Sequence, residues 1–233
     1  MKKIFVYIYF LTVILMISSC TKIDNYSAPG ETLTGNIIDA STGKPIFTEQ
    51  PDGTRIKLLQ QDWNENPLPQ YFWVKPDGTF RNTKIFKGTY LVTPMDGPFF
   101  PLTEPQKLEI KGSVNLDFKV VPFLRVSLVD LTQNGNQVII KYKIERPQGN
   151  FKINDAKVFV STTNQATNAS FDFHFTQTND LQNIDDATIL ATTYLATVNL
   201  TGGRTFYIRI GARSNDNVSK RYNYTDVTKV IIP

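Results

Sequence analysis

Val138-Ile139-Ile140-Lys141-Tyr142-Lys143-Ile144-Glu145 decides the fold. Val138, Ile140, Tyr142 and Ile144 are apolar, and the residues between them pass from Ile139 to Lys141, Lys143 and Glu145. Successive side chains of a strand point to opposite faces, so a period of two reads as a half-buried strand with one dry face. A helix would need its apolar residues three and four apart. The same alternation recurs at Phe206, Ile208 and Ile210, set among Tyr207, Arg209 and Gly211. It recurs again at Phe171, Phe173 and Phe175, set among Asp172, His174 and Thr176, so a third strand is expected there.

Outward from this centre, shorter runs fill the first half of the chain at 32–38, 54–60, 70–75, 79–86, 89–93, 106–111 and 114–121. Asp52-Gly53, Asp77-Gly78 and Gly88 punctuate them, because glycine accepts the positive φ that tight turns demand. Pro76-Asp77-Gly78-Thr79 between two such runs predicts a hairpin. After residue 30 no long, capped helical period occurs, and Asp185-Asp186-Ala187-Thr188-Ile189-Leu190 has room for a single helical turn. The expected class is all-β, with two antiparallel β-sandwich domains at 31–122 and 123–233 joined closely at Pro122. A length of 233 residues with 41% hydrophobic and 20% charged residues suits two packed cores and excludes a disordered chain.

The first twenty residues read as an address. Lys2 and Lys3 precede an apolar run at 4–17, of signal-peptide length and too short to span a bilayer. The run ends in Ile17-Ser18-Ser19-Cys20, which resembles the bacterial lipobox. That resemblance implies a lipoprotein signal peptide at 1–19, lipidation of Cys20, and a tether at 20–30. It places the protein on the outer membrane, lipid-anchored, with the membrane itself as a partner. Lys22 and Asp24 resemble the charged motif that routes such lipoproteins to the cell surface. The formal charge is +4; without Lys2 and Lys3 there remain 23 basic against 21 acidic residues, a balance of +2 that gives no footprint for nucleic acid.

The catalytic inventory is poor. The one His, His174, is expected on the solvent face of its strand, and the one Cys is Cys20, so no Cys–His pair and no Cys/His zinc site can form. Asp185 and Asp186 are adjacent and would point to opposite faces of a strand, although loop geometry could bring them together. Asp52, Asp62, Asp77, Asp216 and Asp226 are scattered at no calcium-loop spacing. No catalytic residue, metal ligand or cofactor is therefore assigned, and the chain is read as a non-enzyme.

Aromatic residues carry the binding signal. Trp63, Tyr71 and Trp73 are the candidates for glycan or partner binding. Strand alternation sets Tyr71 and Trp73 on one face and Phe72 and Val74 on the other, so one of two bulky faces must meet something besides its own core. That something is the second domain, the Phe99-Phe100 loop, another protein or a sugar ring. Tyr222 and Tyr224 pose the same question more weakly, on an expected edge strand.

Several blocks resemble known families. Leu33-Thr34-Gly35-Asn36-Ile37-Ile38-Asp39, Thr42-Gly43-Lys44-Pro45-Ile46, Pro76-Asp77-Gly78-Thr79-Phe80 and Phe86-Lys87-Gly88-Thr89-Tyr90 resemble the carboxypeptidase-regulatory-like, or transthyretin-like, sandwich. Asp24-Asn25-Tyr26, Glu49-Gln50-Pro51-Asp52-Gly53, Pro69-Gln70-Tyr71-Phe72 and Pro122-Phe123-Leu124-Arg125-Val126 look like a Bacteroidetes lipoprotein family known as domain of unknown function 3823. Ala196, Val198 and Leu200, then Gly202-Gly203 and Phe206-Tyr207-Ile208, resemble the E–F corner of a fibronectin type III or Ig-like sandwich, with Phe206 where a corner Tyr usually stands. The lipoprotein resemblance implies a neighbourhood of starch-utilisation-type glycan uptake systems. The expected function is a lipid-anchored accessory of such a system, with outer-membrane uptake proteins or glycan as partners. The alternative is a surface glycan-binding module using its aromatics, and a carbohydrate-active enzyme comes last.

Overall fold

The computed structural model describes residues 27–63 and 65–233. The first half holds β1 (Glu31–Asp39), β2 (Arg55–Gln60), β3 (Gln70–Trp73), β4 (Thr79–Ile85), β5 (Gly88–Met95), β6 (Gln106–Ile110), β7 (Ser113–Asn115) and β8 (Phe118–Val120). The second holds β9 (Arg125–Asn134), β10 (Gln137–Glu145), β11 (Ile153–Ser161), β12 (Gln177–Asp180), α1 (Asp186–Ala191), β13 (Thr193–Asn199), β14 (Arg204–Ser214), β15 (Tyr222–Tyr224) and β16 (Thr228–Ile232). Each half is a two-sheet sandwich, so the fold is all-β.

In the second sandwich, sheet β13-β10-β9 packs against β12-β11-β14-β15, with β16 also on β14. Val138, Ile140, Tyr142 and Ile144 of β10 are buried and meet Val158, Val160, Phe206, Ile208 and Ile210. Each such side chain contributes about 1.5–3 kcal/mol on burial, which outweighs any strand propensity. Phe206 fills the E–F corner position as a core residue against Phe175, at 5.5 Å between ring centroids. Asp185 caps α1 by accepting from the Thr188 amide, which is why one helical turn forms there.

The segment 171–176 is not a strand. Asp172 organises a turn instead: its carboxylate accepts from the His174 amide, and its carbonyl accepts from the amides of Phe175 and Thr176. A turn of this kind competes directly with ladder hydrogen bonding. The three phenyl rings then diverge. Phe171 packs on Phe159, Phe175 enters the core, and Phe173 is 72% exposed beside His174.

In the first sandwich, sheet β4-β1-β7, with β8 also on β1, covers the antiparallel sheet β3-β2-β5-β6. The pairing of β1 is mixed: antiparallel to β4, but parallel to β7 along one half of its edge and to β8 along the other. Parallel neighbours need a crossover, and β2, β5 and β6 in the facing sheet supply it. The run at 114–121, expected as one strand, breaks between β7 and β8. The Leu116 carbonyl there sits where a Cβ on Gly35 would lie, at 1.9 Å, so only glycine fits. Asp117 accepts from both the amide and the side chain of Asn36, at 2.9 and 2.7 Å, filling the gap in the ladder.

The two sandwiches share a continuous seam. Arg209, from β14, is 1% exposed and crosses it. Its Nε donates to the Thr225 carbonyl at 2.7 Å, and its two Nη atoms donate to the Thr48 and Pro76 carbonyls of the first domain, at 3.3 and 3.2 Å. Phe47 and Tyr224 lie against the guanidinium, at 5.2 and 4.7 Å. Burial lowers its pKa to about 10, so it stays charged at neutral pH. Phe100, Phe123 and Phe151 close another part of the seam as a ring cluster, so the Phe99-Phe100 loop faces the second domain. Asn223 of β15 donates to the Pro98 carbonyl at 2.9 Å and accepts from the Leu124 amide at 3.0 Å. Replacing Arg209 by Met keeps the stem and strands the three carbonyls. We expect a loss of about 3 kcal/mol or more and two separated unfolding transitions in scanning calorimetry, where the native chain gives one.

Candidate functional site

Tyr71 and Trp73 project from the same face of edge strand β3 and are 43% and 42% exposed. Their neighbours Phe72 and Val74 point the other way, into the first core. The expected two-faced strand is therefore wet on its Tyr71–Trp73 side. Cross-strand pairing puts Arg55 of β2 opposite Trp73 and Lys57 opposite Tyr71. The Arg55 guanidinium lies 4.7 Å from the Tyr71 ring centre and 5.6 Å from that of Trp73. Its Nε also meets Asp96 at 2.6 Å, so a carboxylate holds the cation beside the rings. The result is a platform of aromatic surface edged by fork-shaped polar groups.

Trp63 does not join this platform. Its ring contacts Phe86 at 5.1 Å, and it follows the Gln60 end of β2, whereas Trp73 pairs at the Arg55 end. Five strand steps separate Arg55 from Gln60, about 17 Å at the usual rise. Trp63 is 58% exposed but stands at the opposite end of the sheet. Tyr222 and Tyr224 are dry. Both are buried at the seam, where the Tyr222 hydroxyl donates to Asp155 and the Tyr224 hydroxyl donates to Glu49 at 2.8 Å.

Beside Trp73 the sheet edge opens on a cleft of about 390 Å³ between the domains. Its first-domain wall is Trp73, Arg55, Asp96 and Asp52, and its second-domain wall is Val218, Ser219 and Arg221. The second wall is built by Asp216, which is buried and accepts from the amides of Val218, Ser219 and Lys220 at 2.7–3.0 Å. Ser219 Oγ donates to the Gly97 carbonyl at 3.0 Å, pinning that loop to the first domain. This wall was missed from sequence, since nothing in Asn217-Val218-Ser219 marks it as near Trp73. A larger hollow of about 640 Å³ lies elsewhere along the seam, by Phe47, Tyr207 and Arg209, with Phe47 already packed on Arg209.

Apart from Asp52, the acidic residues singled out from the sequence are committed to structure. Asp185 caps α1, and Asp186 pairs with Arg146 and Lys152, which hold its carboxyl below the ordinary range against the opposing effect of burial. Asp62 accepts from the Thr89 amide, Asp77 from the Thr79 amide, and Asp226 from the Val227 amide. Asp52 alone in that set has no hydrogen bond to its side chain among the described residues, and it lines the cleft at a φ of +67°. No cluster of three metal-ligating side chains occurs among the described residues. His174 is exposed in its turn, beside Asp172 at 3.1 Å. Cys20 and the signal segment lie outside the described residues.

Together these features define a two-domain β-sandwich protein with an open aromatic platform. Family comparison bears on the two-domain fold. Residues 31–121 match the model for "Protein of unknown function (DUF3823) N-terminal domain", and 124–229 match "Domain of unknown function (DUF3823_C)". The chain belongs to the DUF3823 family. A DUF3823 family protein from Bacteroides uniformis is 29% identical with a TM-score of 0.78, over 88% of this chain and 100% of that one. One from Parabacteroides merdae, at 21% identity and a TM-score of 0.72, covers the same shares and shares the fold. A Bacteroides uniformis structure named "putative carbohydrate binding protein" also shares the fold, at 23% identity and a TM-score of 0.73, over 87% of this chain and 99% of that one. No curated protein matches the chain.

Two carboxylates at the seam titrate in opposite senses. Burial works to raise the pKa of Asp39, but hydrogen bonds from Arg125 and Ser41 prevail and set it at about 2. Burial raises that of Glu49, only partly offset by the Tyr224 hydroxyl and Arg221. Asp39 therefore stabilises the fold fully above about pH 4, and that contribution disappears as pH falls to about 2. Glu49 acts the other way, costing stability as pH rises out of the ordinary carboxylate range until its raised pKa is passed. Urea unfolding at pH 5, 3 and 2 should show a steep acid limb in the native chain and a flatter one in Asp39→Asn.

Proposed function

We propose that this protein is a lipid-anchored, non-catalytic envelope protein that binds glycan through Tyr71 and Trp73 as an accessory of an outer-membrane uptake system. Signal cleavage after residue 19 leaves Cys20 as the lipidated first residue, and residues 20–30 tether the sandwiches to the outer surface of the cell. The observation that carries the binding role is the exposure of Tyr71 and Trp73 on one face of an edge strand, where core residues would be covered. Flat aromatic surface suits a sugar ring, because the apolar C–H face is buried while the hydroxyls stay hydrogen-bonded at its rim. Arg55, which lies over both rings, and its partner Asp96 supply a donor and an acceptor beside them. The non-catalytic reading rests on the acidic candidates other than Asp52 being engaged in caps, turns and ion pairs. The likeness in fold to a protein named for carbohydrate binding is consistent with the same reading.

Two experiments test this. Isothermal titration of the mature chain against polysaccharides should give heat with at least one, and Trp73→Ala should weaken it about tenfold, or roughly 1.4 kcal/mol. No heat with any polymer, or unchanged affinity in Trp73→Ala, removes the binding role. Cys20→Ala, or globomycin treatment of the cells, should shift the protein out of the mature membrane-bound form. If Cys20→Ala remains equally membrane-bound, the anchor is wrong.

A further inference from the structure

We infer that the glycan site is bipartite, completed by the second domain across the seam, and that it takes neutral sugars in preference to carboxylated or sulfated ones. This rests on the reading of Tyr71 and Trp73 as a sugar platform. The platform does not end in open solvent. Trp73 and Arg55 form one wall of the cleft of about 390 Å³, and Val218, Ser219 and Arg221 form the other. A glycan chain laid on the rings and continuing past Trp73 enters that cleft.

The polar groups there suit hydroxyls. Asp52 offers a carboxylate with no partner in its own chain among the described residues. Arg221 donates to Glu49 at 3.4 Å and lines the second-domain wall of the cleft. Arg55 and Asp96 are locked together at 2.6 Å and present fixed donor and acceptor edges. Preorganised groups of both kinds can fork a pair of vicinal hydroxyls without first breaking bonds to water in a mobile side chain.

The charge balance sets the class. Two guanidiniums, Arg55 and Arg221, line the cleft with two carboxylates, Asp52 and Asp96, and buried Glu49 lies against Arg221 as a third. Lys57, one row away opposite Tyr71, brings the local sum to zero. Both arginines are already paired with carboxylates. An incoming carboxylate or sulfate would meet Asp52 beside arginines already paired with carboxylates, whereas a neutral hydroxyl can donate to it.

The test uses the mature chain in native affinity gels and titration calorimetry. One set of probes is neutral (α-glucan, β-glucan, mannan, galactan), and the other is acidic (polygalacturonate, alginate, chondroitin sulfate). We expect a neutral polymer to bind and the acidic set to bind at least tenfold more weakly. Val218 is 41% exposed and forms no part of the Arg221–Glu49 pair, so Val218→Arg narrows the cleft from the second-domain side only. It should cost about tenfold in affinity with an unchanged melting temperature. Equal or tighter binding of an acidic polymer overturns the neutral class. Loss of binding in Trp73→Ala but none in Val218→Arg overturns the bipartite site and leaves the platform standing. Absence of binding to every probe takes both down together.

Discussion

A buried guanidinium that finds its hydrogen bonds in two domains at once is the constraint on which the rest of this structure depends. Arg209 cannot be left dry without partners, and its partners are a carbonyl of its own domain and two carbonyls of the other. Any hinge motion that parted Phe47 and Pro76 from β14 would strand a charge in apolar surroundings. Side chains around it extend the same logic: Asp39 with Arg125, Glu49 with Tyr224 and Arg221, and Asn223 with the Pro98 carbonyl. Two sandwiches that would be independent beads on a flexible linker thus hold one relative position. A cleft with one wall in each domain keeps its shape for that reason.

The sheets were legible where one face is fully dry and the other wet. In β10 the buried residues are the ones that alternation selects, Val138, Ile140, Tyr142 and Ile144. In β14 Phe206, Ile208 and Ile210 follow the same rule, yet Arg209 on the opposite face is buried too, because that face meets the other domain. Alternation cannot see a neighbour that comes from distant sequence. It also misled at Phe171, Phe173 and Phe175, where an Asp two residues before His174 forms a turn stronger than the pattern. The break between β7 and β8 has a similar origin: a close approach between Gly35 and Leu116, 81 residues apart, decides it.

Of the aromatic candidates, the pair on β3 was readable because two residues apart on a strand means one face. Trp63 was not, because nearness in sequence says nothing about which end of a sheet a loop returns to. Tyr222 and Tyr224 carry the same composition as the platform but lie under the first domain, with hydroxyls turned to Asp155 and Glu49. The side chains facing Trp73 across the cleft come from a loop shaped by Asp216, a residue whose role is invisible until its three amide partners are seen.

The parallel pairing of β1 has a mechanical consequence. β1 enters at Glu31 and runs toward Asp39, while β8 runs alongside it in the same direction and leads at Val120 into the joint with the second domain. The entry and exit of the first domain therefore lie at opposite ends of neighbouring strands. A pull between residue 31 and the second domain is directed along both strands, so the ladder bonds of β1 with β7 and β8 bear tension together in shear, whereas a hairpin held at its open end would unzip one bond at a time. Single-molecule stretching from those two points would read the difference as a high rupture force.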